Sequence, residues 1–122
     1  MSRSTSAFVR ALARLEEALR EPATPLVRDA CIQRFEFCFE LGWKAIQEAL
    51  RREGRDCTSP RSCLREAFKQ RWIESEEAWS RLLADRNLTS HTYDEALAEA
   101  IYGRLGDHRS LFASLRERLP AE

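Results

Sequence analysis

The chain has 122 residues, 43% apolar and 33% charged, with 20 basic and 20 acidic side chains. That length suits one domain with one ordinary core, spanning residues 1–122, and the composition excludes a disordered or membrane-embedded chain. A net charge of zero excludes bulk attraction to a polyanion, so any nucleic-acid contact has to come from a local patch.

The longest apolar run is only a few residues, too short for a transmembrane helix. The N-terminal stretch MSRSTSAFVRALARLEEAL is amphipathic and contains acids, unlike a signal peptide. A cytoplasmic protein with no membrane contact is expected. All basic residues but Lys44 and Lys69 are arginine, which supplies many planar forks suited to carboxylate or phosphate.

Every long segment has the period of a helix, and none alternates as a strand does. A first helix is predicted from Ser6 to Arg20, with Phe8, Leu12, Leu15 and Leu19 on one face. Pro22 and Pro25 interrupt the pattern, and a second helix follows from Leu26 to Glu53, ended by Gly54. Its apolar stripe, built on Ile32, Phe35, Phe39, Trp43, Ile46 and Leu50, is broad enough to be contacted from several sides. This helix is the expected spine, with RFEFCFELGW as its densest packing and Glu40 and Lys44 as an i,i+4 pair.

Ser59 and Pro60 open a third helix reaching about Arg71, and Ser75 caps a fourth, EEAWSRLLADR, with Trp79, Leu82 and Leu83 inward. NLTS breaks it. Thr92 and Glu95 form a capping box that starts the last helix at Tyr93, with Leu97, Ile101, Leu105, Phe112, Leu115 and Leu119 inward and Gly103 and Gly106 weakening its middle. The expected fold is all-α, an up-and-down bundle of four to five helices.

Cys31 and Cys38, seven apart on one helix, face the same way and read as small core residues. Neither they nor Cys57 and Cys63 form a CxxC or lie at metal-site spacing from a histidine, so neither a zinc site nor a structural disulfide is expected. Gly-rich phosphate loops, GxSxG and HExxH are absent from the sequence, and no cofactor or metal is expected.

The stretch DRNLTSHTY, Asp85 to Tyr93, gathers Arg86, His91 and Tyr93 among cap-forming residues. On one continuous helix, Arg86 and His91 would stand about 140° apart and roughly 7.5 Å along the axis, unable to share a substrate. A break at NLTS lets both turn to one side. Histidine exchanges protons near neutrality and a guanidinium binds phosphate bidentately, so the pair suits metal-independent RNA cleavage by an adjacent 2′-hydroxyl. The same residues also suit a plain connector: Arg86 paired with Asp85 or Glu95, His91 capping a helix end, Tyr93 packed. His108 matches no motif and is expected on a helix surface.

The segments RFEFCFELGWKAIQEALRREG, SPRSCLREAFKQRWI and LLADRNLTSHTYDEALAEAIYGRL occur in one order over about Arg34 to Leu105, roughly three fifths of the chain. In this they resemble the nucleotidyltransferase substrate-binding protein family of the HEPN superfamily, which includes HepT-like toxins. The resemblance implies a HEPN-like homodimeric bundle whose partner is a minimal nucleotidyltransferase encoded nearby. In toxin members the R-x4-H-x-Y signature, here Arg86, His91 and Tyr93, carries a metal-independent ribonuclease site, and the partner silences it by transferring AMP onto the tyrosine. By that resemblance Arg86 and His91 are the catalytic candidates. Tyr93 is the modified residue, and Asn87, Thr89 and Ser90 position the loop or touch RNA or nucleotide. The chain has no nucleotidyltransferase motif of its own, so the expected role is the partner subunit, with the ribonuclease as the alternative.

Overall fold

A computed structural model of the chain describes residues 2–121. Five α-helices succeed one another: α1 Arg3–Leu19, α2 Pro25–Arg52, α3 Pro60–Lys69, α4 Glu76–Leu88 and α5 Glu95–Arg118, with a 3-10 turn, Thr89–His91, between the last two. Among the described residues there is no strand, so the all-α bundle is as expected.

Each helix starts where a side-chain oxygen accepts from one of the first backbone N–H groups, which have no acceptor within the helix. Ser2 accepts from Thr5, Thr24 from Val27, Ser59 from Ser62, Ser75 from Ala78 and Asp94 from Leu97. These caps correct two boundaries. α1 begins at Arg3 rather than Ser6 because Ser2 is available as its cap. α5 begins at Glu95 rather than Tyr93 because Asp94 is the cap, while the Thr92 hydroxyl donates backward to the carbonyl of Thr89 at 3.0 Å. α2 ends at Arg52, and two residues on, the positive φ of Gly54, 75°, lets Arg55 N–H reach the carbonyl of Leu50.

Side-chain pairings define the arrangement. Ser2 and Ser4 face Glu48, Phe8 faces Gly42 and Arg14 faces Arg34, so α1 runs antiparallel to α2. Arg28 pairs with Glu99, Phe35 contacts Phe112, and Gly42 lies near Leu115, so α2 and α5 run parallel. Phe112 is the hub of the core. Its ring centroid lies 6.0 Å from Phe8 on α1, 6.0 Å from Phe35 on α2 and 5.7 Å from Trp79 on α4. Of the aromatic run on α2, Phe35 and Phe39 are buried as expected, but Phe37 is 53% exposed. α5 continues through Gly103 and Gly106 as one helix.

Two expectations fail here. Cys57 and Cys63 are joined in a disulfide, with Cα atoms 5.1 Å apart. Cys57 lies in the connection just before the Ser59 cap, and the turn into α3 returns Cys63 to it, a proximity that a search for metal spacing does not reveal. His108 is not on the surface: it is 5% exposed, with its ring stacked on Phe35 at 5.4 Å. Cys31 and Cys38 are free and buried, in keeping with their reading as core residues. No described helix is long and apolar enough to cross a membrane.

Candidate functional site

The C-terminal end of α4 brings the candidate residues together. α4 runs two residues past Arg86, through Asn87 and Leu88, before tightening into the 3-10 turn. Thr89 is buried, and its hydroxyl donates to the carbonyl of Arg86 at 2.7 Å, satisfying one of the last acceptors of the helix. The hydroxyls of Thr89 and Thr92 therefore fix the path of the loop, a role the sequence reading gave to Asn87, Thr89 and Ser90. Asn87 and Ser90 are exposed, and Asn87 Oδ1 accepts from Arg86 Nη1 at 3.4 Å.

Arg86 is half-buried and packs over the Phe39 ring at 5.6 Å. Its Nη2 donates to Glu40 Oε1, so it is paired as the connector reading required, but with an acid of α2 rather than Asp85 or Glu95. Glu40 thus reaches across helices to Arg86 and also accepts from Trp43 Nε1 at 3.3 Å, in place of the expected pair with Lys44. Glu95 instead lies 3.9 Å from Arg28, a buried guanidinium that also binds Asp29 at 3.0 Å and Glu99 at 2.9 Å. Arg28 ties the first turn of α5 to the start of α2. It therefore fixes one end of the His91–Tyr93 segment.

His91 is exposed, and its Nδ1 lies 3.4 Å from the Tyr93 hydroxyl with the rings edge to face. Tyr93 does not pack: it is 82% exposed at the rim of an open groove of about 600 Å³, opposite Leu26, Asp29, Gln33 and Glu36 of α2. The structure thus joins His91 to Tyr93 and leaves Arg86 in a separate contact with Glu40. No hydrogen bond or ring contact links Arg86 to His91 among the described residues.

Beneath this loop lies a polar network absent from the sequence reading. Asp85 is 5% exposed, and Arg104 binds it with two N–H groups, each at 2.8 Å. His108 Nε2 donates to the same carboxylate at 2.7 Å. Burial alone would raise the Asp85 carboxyl, but the hydrogen bonds from Arg104 and His108 outweigh it and hold it below the usual carboxylate range. The network locks α4 to α5 at the residue next to Arg86. A spacing signal for it existed, since His108 continues the 101, 105, 112, 115 stripe of α5. Among the described residues no cluster of His, Cys, Asp and Glu is placed to hold a metal ion.

Residues 3–121 match the family model described as "Nucleotidyltransferase substrate binding protein like". The chain belongs to this family. A protein of Thermus thermophilus with a known crystal structure is 40% identical and superposes with a TM-score of 0.87 over 93% of this chain and 99% of its own. A Haemophilus influenzae structure, described as revealing the fold of a substrate binding domain of a nucleotidyltransferase, is 26% identical with a TM-score of 0.85, covering 94% and 98%. In sequence, the chain is 33% identical over 93 residues to the "Probable ribonuclease HepT" of Haemophilus influenzae. That match takes in 72% of this chain and 64% of the relative, so it spans just under two thirds of the relative's length. As a member of the substrate binding protein like family, the chain has the helical bundle that its structural relatives share.

Proposed function

We propose that this chain is the substrate-binding partner subunit of a minimal nucleotidyltransferase, acting as one domain over residues 1–122 in a cytoplasmic two-gene toxin–antitoxin system. The 82% exposure of Tyr93 carries the reading, because it offers an aromatic hydroxyl to a second active site. On this reading the Tyr93 oxygen attacks the α-phosphorus of ATP held by the partner, an O–P bond forms, and pyrophosphate leaves. His91 Nδ1, 3.4 Å away, takes the phenolic proton. The family description and the fold shared with the Haemophilus influenzae structure support such a partner. The test is co-purification with the neighbouring nucleotidyltransferase, followed by intact mass after incubation with ATP. One added AMP on the wild type and none on Tyr93→Phe is the expected result. Failure to co-purify at low and moderate salt overturns it.

A second reading, a metal-independent endoribonuclease, is favoured by a specific observation: His91 is exposed beside a guanidinium-bearing helix end, and a relative carries the name of a probable ribonuclease. Here His91 takes the proton of a ribose 2′-hydroxyl as its oxygen bonds to phosphorus. The bond to the 5′-oxygen breaks, and that oxygen receives a proton, leaving a cyclic phosphate and a 5′-hydroxyl. Arg86 stabilises the charge on the phosphorane, and a homodimer faces two such loops across a shared cleft. Cleavage of RNA in EDTA, lost in His91→Ala and Arg86→Ala variants of unchanged fold, is the expected result. Wild-type protein with unmodified Tyr93 and no cleavage removes this reading.

A further inference from the structure

On the flank of α2 turned toward α1 lies a second groove, of about 410 Å³, floored by Ala7, Ala11 and Leu41 and walled by Arg10, Arg14, Arg34 and Phe37. No carboxylate lines it, in a chain whose basic and acidic residues are equal in number. Arg10 and Arg14 are exposed and make no ion pair among the described residues. Arg34 donates to the backbone carbonyl of Arg14 at 2.7 Å and touches an acid, Glu17, only at 4.0 Å. Phe37 presents an aromatic ring to solvent at 53% exposure, although both its neighbours in the run, Phe35 and Phe39, are buried.

We propose that this groove binds single-stranded RNA flanking the cleaved bond, with Arg10 and Arg14 on phosphates and a base stacked on Phe37. The inference rests on the ribonuclease reading for its ligand class. A groove with several guanidiniums, no acid and one open aromatic face has the two elements that single-strand binding uses, charge along the backbone and a platform for bases. An apolar protein segment seated here would bury the two unpaired guanidiniums without partners, which is unfavourable.

The position connects this groove to the candidate site. Gln33 lines both this groove and the one rimmed by Tyr93. From Gln33 to Phe37 is one turn of α2, about 6 Å along the axis. The Tyr93 groove is lined by Asp29 and Glu36 and the second groove by arginines alone among charged residues, so the phosphates flanking the cleaved bond find their favourable contacts on the arginine side.

The test is fluorescence anisotropy with a labelled 2′-O-methyl oligonucleotide, which lacks the attacking hydroxyl and is not cleaved, measured over a range of salt. The variants are Arg10→Gln with Arg14→Gln, and Phe37→Leu, each checked for an unchanged thermal melt. For the double variant, we expect affinity to fall at least about tenfold and the salt slope to shrink by about 1.4, the amount for two lost phosphate contacts on a single strand. For Phe37→Leu, affinity falls several-fold at an unchanged slope. Wild type that does not bind, or variants that match it in affinity and slope, overturns the proposal and leaves an acidic protein partner as the occupant. Cleavage of ordinary RNA is assayed separately: groove-dependent binding without cleavage removes the ribonuclease reading alone, and cleavage with no groove dependence removes this inference alone.

Discussion

His108 on α5 and Asp85 on α4 meet at 2.7 Å inside the bundle, one residue before Arg86. Removing the carboxylate leaves a buried imidazole without its acceptor and frees Arg104. Asp85→Ala is expected to destabilise the fold by about 3 kcal/mol in chemical denaturation, the scale of breaking a buried hydrogen-bonded pair. His108→Gln keeps an N–H donor near the Nε2 position and should lose less than His108→Ala.

The same contact makes stability depend on acid. The Asp85 pKa is lower in the folded chain than in the unfolded one, so the unfolded chain takes up the proton first as pH falls. Its stabilisation is complete above the ordinary carboxylate value and is lost as pH drops through the depressed folded value. As pH falls below about 5 the melting temperature of the wild type should therefore fall more steeply than that of Asp85→Asn. Parallel curves count against this assignment.

Glycines divide by environment. At Gly42 an added Cβ would lie 3.2 Å from Phe8 Cε1, and Phe8 is wholly buried against Phe112 and cannot yield. The crowding outweighs the gain in helix propensity, so Gly42→Ala should cost about 1 kcal/mol. Gly103 and Gly106 are exposed within α5, with nothing within 4 Å of an added Cβ. Alanine at either position should stabilise by about 0.5–1 kcal/mol in the same denaturation series.

The four cysteines should all resist iodoacetamide in the native protein purified under air, for two different reasons. Cys57 and Cys63 are joined to each other, and Cys31 and Cys38 are buried. Burial, with a smaller contribution from Glu16, pushes the Cys38 thiol up to about 12, leaving almost no thiolate to react. Reduction and unfolding should expose four labels. A thiol reductant opens the Cys57–Cys63 pair, so reduction without unfolding should add these two sites where the α2–α3 connection loosens. Labelling of Cys38 in the native, oxidised protein contradicts its burial.

Helix identity was legible because the apolar stripes repeat over three or more turns and Ser59 and Ser75 are strong start signals. Boundaries depended on choosing between adjacent caps, which periodicity does not weigh: Thr92 and Asp94 both suit an N-cap, and the bond from Leu97 N–H to Asp94, with the Thr92 hydroxyl turned back to Thr89, decides for Asp94. The residues of the candidate loop were visible as a local cluster. Their partners were not, since Glu40 lies 46 positions from Arg86 and Arg104 lies 19 from Asp85. His108 was legible in principle from its place in the α5 stripe, but a polar residue at a core position signals burial only once its acceptor, Asp85, is known.

Glu40 poses the last test, because it both orients Arg86 and neutralises it. Replacing it with glutamine keeps an oxygen for the guanidinium but removes the competing charge. If Arg86 contacts phosphate, Glu40→Gln should tighten binding of the uncleavable oligonucleotide about threefold, the modest effect of a half-exposed pair. Arg86→Gln should weaken it, and the Glu40→Gln gain should vanish in the double variant, since the acid then has no guanidinium to compete for. Cleavage would separate the two roles: a lower KM with a reduced kcat means that orientation by the carboxylate matters in the transition state, as Arg86 is then bound but misaligned. A gain that persists without Arg86 would show that Glu40 acts by general repulsion of the strand and that Arg86 is not a phosphate ligand.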